Sequence, residues 1–190
     1  MANYLSTWGV IKAAGISSYL LLFISVSVGA FGYSKLVSVK RRGLLLIIHQ
    51  WTGWFGFLFG LLHGIVLLID MYEPFSIKEV LVPFYTDHQT VANGFGILAF
   101  YMFFAVLVTS DWMKTFGKKV WRFVHYLPFP AFILSLLHGL LAGSDSSLKG
   151  IKMMYAITGI LFILVVVVRM GWRKPAKEKE QSHAYITSRG

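Results

Sequence analysis

The chain contains no cysteine. Disulfides, thiolate-held zinc and iron–sulfur clusters are thereby excluded. Acidic residues are scarce, with eight Asp and Glu against 18 Lys and Arg in 190 residues. There is no glycine-rich phosphate loop, no repeat of solenoid length and no sign of a second domain. The polar tail 171–190, GWRKPAKEKEQSHAYITSRG, is far too short for a flavin or nicotinamide domain. Such a cofactor would have to sit on a partner. No general base or activated nucleophile is visible.

What the chain has in abundance is apolar length. Apolar residues make up 56% and aromatic residues 16%, and the mean hydropathy is +0.66. A helix needs roughly 20 apolar residues to cross a hydrocarbon core about 30 Å thick. Five runs qualify, at about 13–34, 43–69, 90–110, 120–142 and 153–170. In lipid every backbone polar group must find a partner within the protein, so these runs are predicted to be helices. The expected fold is an all-α integral membrane bundle of five transmembrane helices over 13–170. Residues 1–12 form an N-terminal segment and 171–190 a polar cytoplasmic tail. The first run has only Lys12 before it and exceeds a signal-peptide core in length, so it reads as retained.

The net charge of +10 is not spread evenly. With the N-terminus outside, 14 of the 18 cations fall on the cytoplasmic side: Lys35, Lys40, Arg41 and Arg42; Lys114, Lys118, Lys119 and Arg122; and Arg169, Arg173, Lys174, Lys177, Lys179 and Arg189. Lys12, Lys78, Lys149 and Lys152 remain outside. The positive-inside rule therefore predicts N-outside, C-inside. Anionic lipid accounts for these cations without nucleic acid. The longest connection, 70–89, carries four acids against one lysine and is expected to face outward, with Pro74 and Pro83 keeping it irregular or interfacial.

Residues 49–63 read HQWTGWFGFLFGLLH, inside a run from Gly43 to Ile69 without a charged residue. Of six histidines, four lie in predicted spans: His49 and His63 in the second, His125 and His138 in the fourth. Ionisable groups in a span are rare and mostly functional. The two helices run the same way, so His49 and His125 share one depth, and His63 and His138 another. The interval from 49 to 63 is roughly 21 Å along the axis. Two imidazoles from opposite helices at each level suit a flat cofactor with an axial metal, and haem is the obvious one. Zinc needs three or four donors at one point. At about 100° per residue, Gly53, Gly56 and Gly60 lie on the histidine-bearing face. They are read as haem clearance, against close helix packing through small-xxx-small spacings that include Gly64.

The fourth run is less regular. His125 and His138 are 13 residues apart, which leaves them about 140° out of register on an ideal helix. Pro128 and Pro130 lie between them, and the expectation is a kink that helps bring both rings to one side.

The spacings H-x13-H and H-x12-H on alternate helices, with the basic turn KRRGLLLIIH before the first pair, resemble the ferric-reductase-like transmembrane family. That family includes the membrane halves of NADPH oxidases and the membrane subunit of the bacterial methionine sulfoxide reductase system. The likeness runs from about residue 13 to 170. It implies two haem b groups carrying electrons across the cell membrane. By that match His49 and His125 ligate the cytoplasmic-side haem iron, and His63 and His138 the outer one. The common core of the family has six helices against five here, and the oxidase-type dehydrogenase domain is absent. The donor would then be a cytosolic flavoprotein or quinol.

Further residues are weighed between two roles. Arg41, Arg42 and Arg122 lie at the depth of the inner haem's propionates, or serve as positive-inside anchors; Lys149 or Lys152 are the outer candidates. Trp51, Trp54, Phe55 and Phe59 either shorten a path between haems or pack. Glu73, Glu79 and Asp87 with His88 either attract a ferric chelate or docking protein, or form a solvated loop. The expected activity is that of an oxidoreductase passing electrons to a ferric chelate, oxygen or a partner reductase. The alternatives are a quinol-linked cytochrome b subunit, a structural haem-holding subunit, and a histidine-lined metal or proton transporter without haem.

Overall fold

The computed structural model describes residues 7–32, 37–70 and 74–171. Lys35, Glu73, His183 and the tail cations beyond Gly171 lie outside the described residues. Seven helices and no strand occur among those described: α1 Thr7–Gly32, α2 Val39–Leu67, α3 Ile77–Leu81, α4 Thr90–Asp111, α5 Met113–Val124, α6 Pro128–Ala142 and α7 Lys149–Gly171. Helices α1, α2, α4 and α7 are each long and apolar enough to cross a bilayer. The bent pair α5–α6 would make a fifth crossing.

Helices α2 and α7 begin at Val39 and Lys149, about four residues before the expected runs, and two larger differences bear on the site. Helix α1 begins at Thr7 rather than near residue 13, so Lys12 is helical. Its charge is met by Asp145, 2.9 Å away, which removes the cost that argued for leaving it outside the helix. The predicted run 120–142 is two helices, bent by 58°. Pro128 and Pro130 have no N–H to give the carbonyls of Val124 and Tyr126. Those carbonyls accept instead from Leu127 (2.9 Å) and Phe129 (3.3 Å), tightening the turn. Pro128 then opens α6 at a position where its missing donor costs nothing. Gly117, at φ 83°, interrupts α5 further upstream.

Helix α1 is central: it packs along α2 and also touches α6 and α7, while α4 packs along α6. Lipid tails are as apolar as leucine, so these contacts rest on close fit and hydrogen bonds rather than on expulsion of water. Gly56 lets α2 lie close against α1, since a Cβ there would lie 2.8 Å from the Leu22 side chain and 3.2 Å from its backbone nitrogen. The Ser18 hydroxyl donates to the Gly56 carbonyl at 2.7 Å across the same contact. On the other side of α1, Tyr19 stacks on Phe132 (5.3 Å between centroids) and its hydroxyl meets that of Thr158 at 2.6 Å. Phe132 in turn packs on Phe162.

The connection between α2 and α4 is built rather than loose. Glu79 accepts from the Ser76 N–H (2.8 Å) and hydroxyl (2.7 Å), closing a capping box on α3, and from the Thr86 hydroxyl (3.1 Å). Tyr101 of α4 donates to the Leu81 carbonyl at 2.6 Å. Phe84, held at φ 62°, lays its ring where any side chain on Gly94 would stand.

The donated hydrogen bonds, that of the Ser76 backbone first, hold the Glu79 carboxyl below the ordinary carboxylate range. A lowered value means the network contributes fully at neutral pH and is lost as pH falls through it. In an NMR titration the Glu79 carboxyl is expected to reach its midpoint below the free-glutamate value of about 4.3. Thr86→Ala should move that midpoint upward. A midpoint at or above the free value would show that the connection is not latched this way.

Candidate functional site

Each histidine pair comes together. His49 of α2 and His125, which caps the C-terminus of α5, have ring centroids 6.1 Å apart with planes at 75°. His63 of α2 and His138 of α6 lie 6.2 Å apart at 78°. The bend between α5 and α6 is what reconciles a 13-residue interval with two rings facing α2. Among the described residues no three or more His, Asp or Glu side chains gather in one place, so each level offers two donors.

Which ring nitrogen is free follows from the hydrogen bonds. His49 Nδ1–H donates to the Ser25 carbonyl at 2.8 Å, His63 Nδ1–H to Ile11 at 2.9 Å and His138 Nδ1–H to Ala92 at 2.8 Å. A carbonyl oxygen only accepts, so each of these Nδ1 atoms carries the proton and Nε2 keeps its lone pair. Ser25 ties the first of these contacts twice, its hydroxyl donating to the His49 carbonyl at 2.9 Å. His125 differs: its buried Nδ1 has no protein partner.

The three anchored rings share one device. Each acceptor carbonyl is followed four residues later by a glycine: Ile11 and Gly15, Ser25 and Gly29, Ala92 and Gly96. A helical carbonyl points at the residue four ahead, so a ring that reaches it lies over that residue. A Cβ on Gly15, Gly29 or Gly96 would stand 3.1, 2.9 or 2.8 Å from the imidazole of His63, His49 or His138. These glycines were not singled out in the sequence. The signal was present, however: Gly15 and Gly29 are 14 residues apart on α1, the same interval as His49 and His63 on the antiparallel α2.

Two cavities surround the pairs. One of about 650 Å³ is lined by His63, His138, Gly15, Gly60 and Gly96, and by Lys12, Glu79, His88 and Asp145 towards the end bearing α3. The other, about 430 Å³, is lined by His49, His125, Gly53, Ser110, Trp51 and Trp54. Both fall in the size range of cofactor sites, roughly 300–1,000 Å³. Leu22 and Phe103 line both cavities and so stand between them.

The remaining candidates from the sequence fall in different places. Gly53 and Gly60 line the cavities, but Gly56 lines neither and serves the α1–α2 contact. Arg41, Arg42 and Arg122 are exposed and line neither cavity; the same holds for Lys149 and Lys152. The basic residue at the larger cavity is Lys12, paired with Asp145. Phe55 and Phe59 line neither cavity, and the aromatic between the sites is the buried Phe103. Glu79 is engaged by Ser76 and Thr86, and Asp87 is exposed.

Chemically, each level presents two opposed imidazoles. A metal–imidazole bond is about 2.0–2.1 Å long. Ring bonds near 1.33 Å put the nitrogen about 1.1 Å from the ring centre. One metal bonded to both rings thus needs centroids about 6.2–6.4 Å apart, close to what both pairs have. The donor set, its spacing and the tautomers of the three anchored rings fit bis-imidazole haem.

The family model described as Ferric reductase like transmembrane component matches residues 13–136 of the 190. The chain belongs to that family. The match takes in His49, His63 and His125, and His138 follows just beyond it on the same helix. In this ferric-reductase-like domain α2, α4 and α5 fall within the match, as does α1 from residue 13 onward, so Gly15, Gly29 and Gly96 belong to the matched region while the Ile11 carbonyl precedes it. No curated protein and no solved structure matches the chain.

The glycine seats can be tested without any cofactor. Gly29→Ala is expected to displace His49, and Gly96→Ala to displace His138, each at a cost of about 1–3 kcal/mol from overpacking. Nitrogen NMR of labelled imidazoles should then lose the hydrogen-bonded Nδ1–H signal of that ring alone. Loss of both signals in either variant, or of neither, would refute the seats.

Proposed function

We propose that this ferric-reductase-like domain is a multi-pass cell-membrane electron carrier that holds two haem b groups, N-outside and C-inside. His49 and His125 hold the cytoplasmic-side haem, and His63 and His138 the outer one. The observation that carries this reading is the matched pair of ring separations, 6.1 and 6.2 Å, at two levels with one cavity each. When bound, haem supplies a one-electron iron couple at each level, tuned by its axial ligands and burial.

The chain's own residues do the rest. The Ser25, Ile11 and Ala92 carbonyls fix three imidazoles with Nε2 turned towards the cavity. They also raise the basicity of those rings as ligands. Leu22 and Phe103 keep water from the space between the levels. Lys12 offers the outer cavity a cation for the cofactor's carboxylates. At the other end α5 sets Lys118, Lys119 and Arg122 on one side and Val120 and Phe123 on the other, as an interfacial helix does. That placement agrees with a cytoplasmic, positive-inside position for this end. Electrons enter there from a cytosolic flavoprotein or quinol. They leave outside to a ferric chelate, oxygen or a partner reductase.

Reduced-minus-oxidised absorbance of protein expressed with ample haem is expected to resolve two low-spin b-type centres. His63→Ala or His138→Ala should remove one, leaving about half the haem, and His49→Ala should remove the other. A colourless preparation, or one in which any single replacement removes both centres, would defeat the proposal.

A further inference from the structure

The fourth imidazole has no seat, and the structure gives the reason. Ser110 stands on α4 14 residues after Gly96, the interval that separates Gly15 from Gly29 and His49 from His63. Four residues before it is Val106, so Val106 and Ser110 occupy the places that a carbonyl and its glycine hold in the other three seats. Both line the cavity shared by His49 and His125. But the residue is serine, and its hydroxyl donates to the Val106 carbonyl at 2.6 Å. That carbonyl also takes its ordinary intrahelical N–H, and the Thr109 hydroxyl, bonded to the Ala105 carbonyl at 2.8 Å, reaches it as well at 3.2 Å, so both its lone pairs are used. The serine oxygen in turn accepts from Trp121 Nε1–H at 3.3 Å. His125 Nδ1 is left buried without a partner.

What steers His125 is a ring contact and a hinge. The Trp121 ring lies 4.9 Å from it, tilted by 33°. His125 itself ends α5 at the 58° bend before α6. The other three histidines sit inside continuous helices. A ring contact limits position but does not raise imidazole basicity as an accepted Nδ1–H bond does.

We propose that His125 is the exchangeable ligand of the four, and that the His49–His125 site admits a small neutral donor in its place. This rests on the dihaem reading above. With haem bound, the step would be a ligand exchange: His125 Nε2 would give up its bond to the iron as the incoming donor forms one, and no electron would be transferred. Neutral imidazole swings out on the bend. His63 and His138, each tied to a backbone carbonyl, do not exchange.

The probe is carbon monoxide added to the reduced, haem-loaded full chain, read by difference absorbance. One of the two centres is expected to respond, and the response should persist in His63→Ala, which retains the His49–His125 site. Ser110→Gly removes the shorter hydroxyl bond from the Val106 carbonyl, leaving Thr109 with Ala105 as its nearer acceptor, and so opens the missing seat. It should weaken carbon monoxide binding by roughly tenfold or more, the usual size of such supporting effects, while the spectrum without carbon monoxide keeps two centres. Trp121→Ala should strengthen the response, and Trp121→Phe, which keeps a ring, should do so less. Nitrogen NMR of the haem-free protein should place Nδ1–H bonds on His49, His63 and His138, and gain one on His125 in Ser110→Gly. A colourless protein sinks the dihaem reading and this proposal together. Two centres that both respond, or both ignore carbon monoxide, sink the proposal alone, as does a Ser110→Gly protein that binds it as the parent does.

Discussion

The hydrogen bond from an imidazole Nδ1 to a carbonyl of the neighbouring helix is the interaction on which the site depends. A helical carbonyl has a second lone pair to spare, and in lipid no water competes for it. Each such bond contributes only about 0.5–1.5 kcal/mol to stability. Its larger effect is directional. It fixes the proton on Nδ1, turns Nε2 towards the cavity, and does so with an acceptor that cannot rotate away. The bond is short only because the residue one turn along is glycine, and a single methyl at Gly15, Gly29 or Gly96 would fall 2.8–3.1 Å from a ring.

That requirement reaches into the packing of the bundle. Helix α1 carries two seats for α2, at opposite ends, so the two helices must stay in register along most of their length. Gly56 and Ser18 hold that register midway, where the backbones lie close together. Helix α4 carries the seat for His138 and so must lie beside α6. The bend before Pro128 then decides whether His125 can face α2 at all. A straight helix would send it round to the lipid side when His138 faces inward. Lys12 and Asp145 join α1 to the α6–α7 connection at the mouth of the larger cavity, so that site is closed by the same helices that build it.

Much of this was legible in the sequence because the bilayer imposes simple rules. Apolar length gave the spans, and the histidine intervals gave two levels. Pro128 and Pro130 marked the bend. The family likeness rested on the same residues. What escaped was information held between helices. Clearance was sought on the helix that bears the histidines, through Gly53, Gly56 and Gly60, whereas the glycines that meet the imidazole rings lie on the helices opposite. Their spacing is visible only once α1 is known to run antiparallel beside α2. Cations were assigned to the site by depth alone, and depth does not tell an inward side chain from an outward one. Arg41, Arg42 and Arg122 are exposed and line neither cavity. Lys12 was passed over because helix α1 was expected to start after it.

The two levels are therefore not equivalent copies. At one, both rings are pinned by carbonyls on α1 and α4, and both stand inside continuous helices. At the other, one ring is pinned and its partner stands on a break, between an amphipathic helix with no buried residue and a span that begins at proline. Rigid placement suits a centre that only passes electrons, since fixed dipoles need no rearrangement as charge changes. A ligand on a hinge suits a centre that must respond to what reaches it. A serine at 110, where the three other seats carry glycine, is the one side chain that makes this distinction. It leaves the helices in place, consumes the carbonyl, and returns to His125 the freedom that the other three have lost.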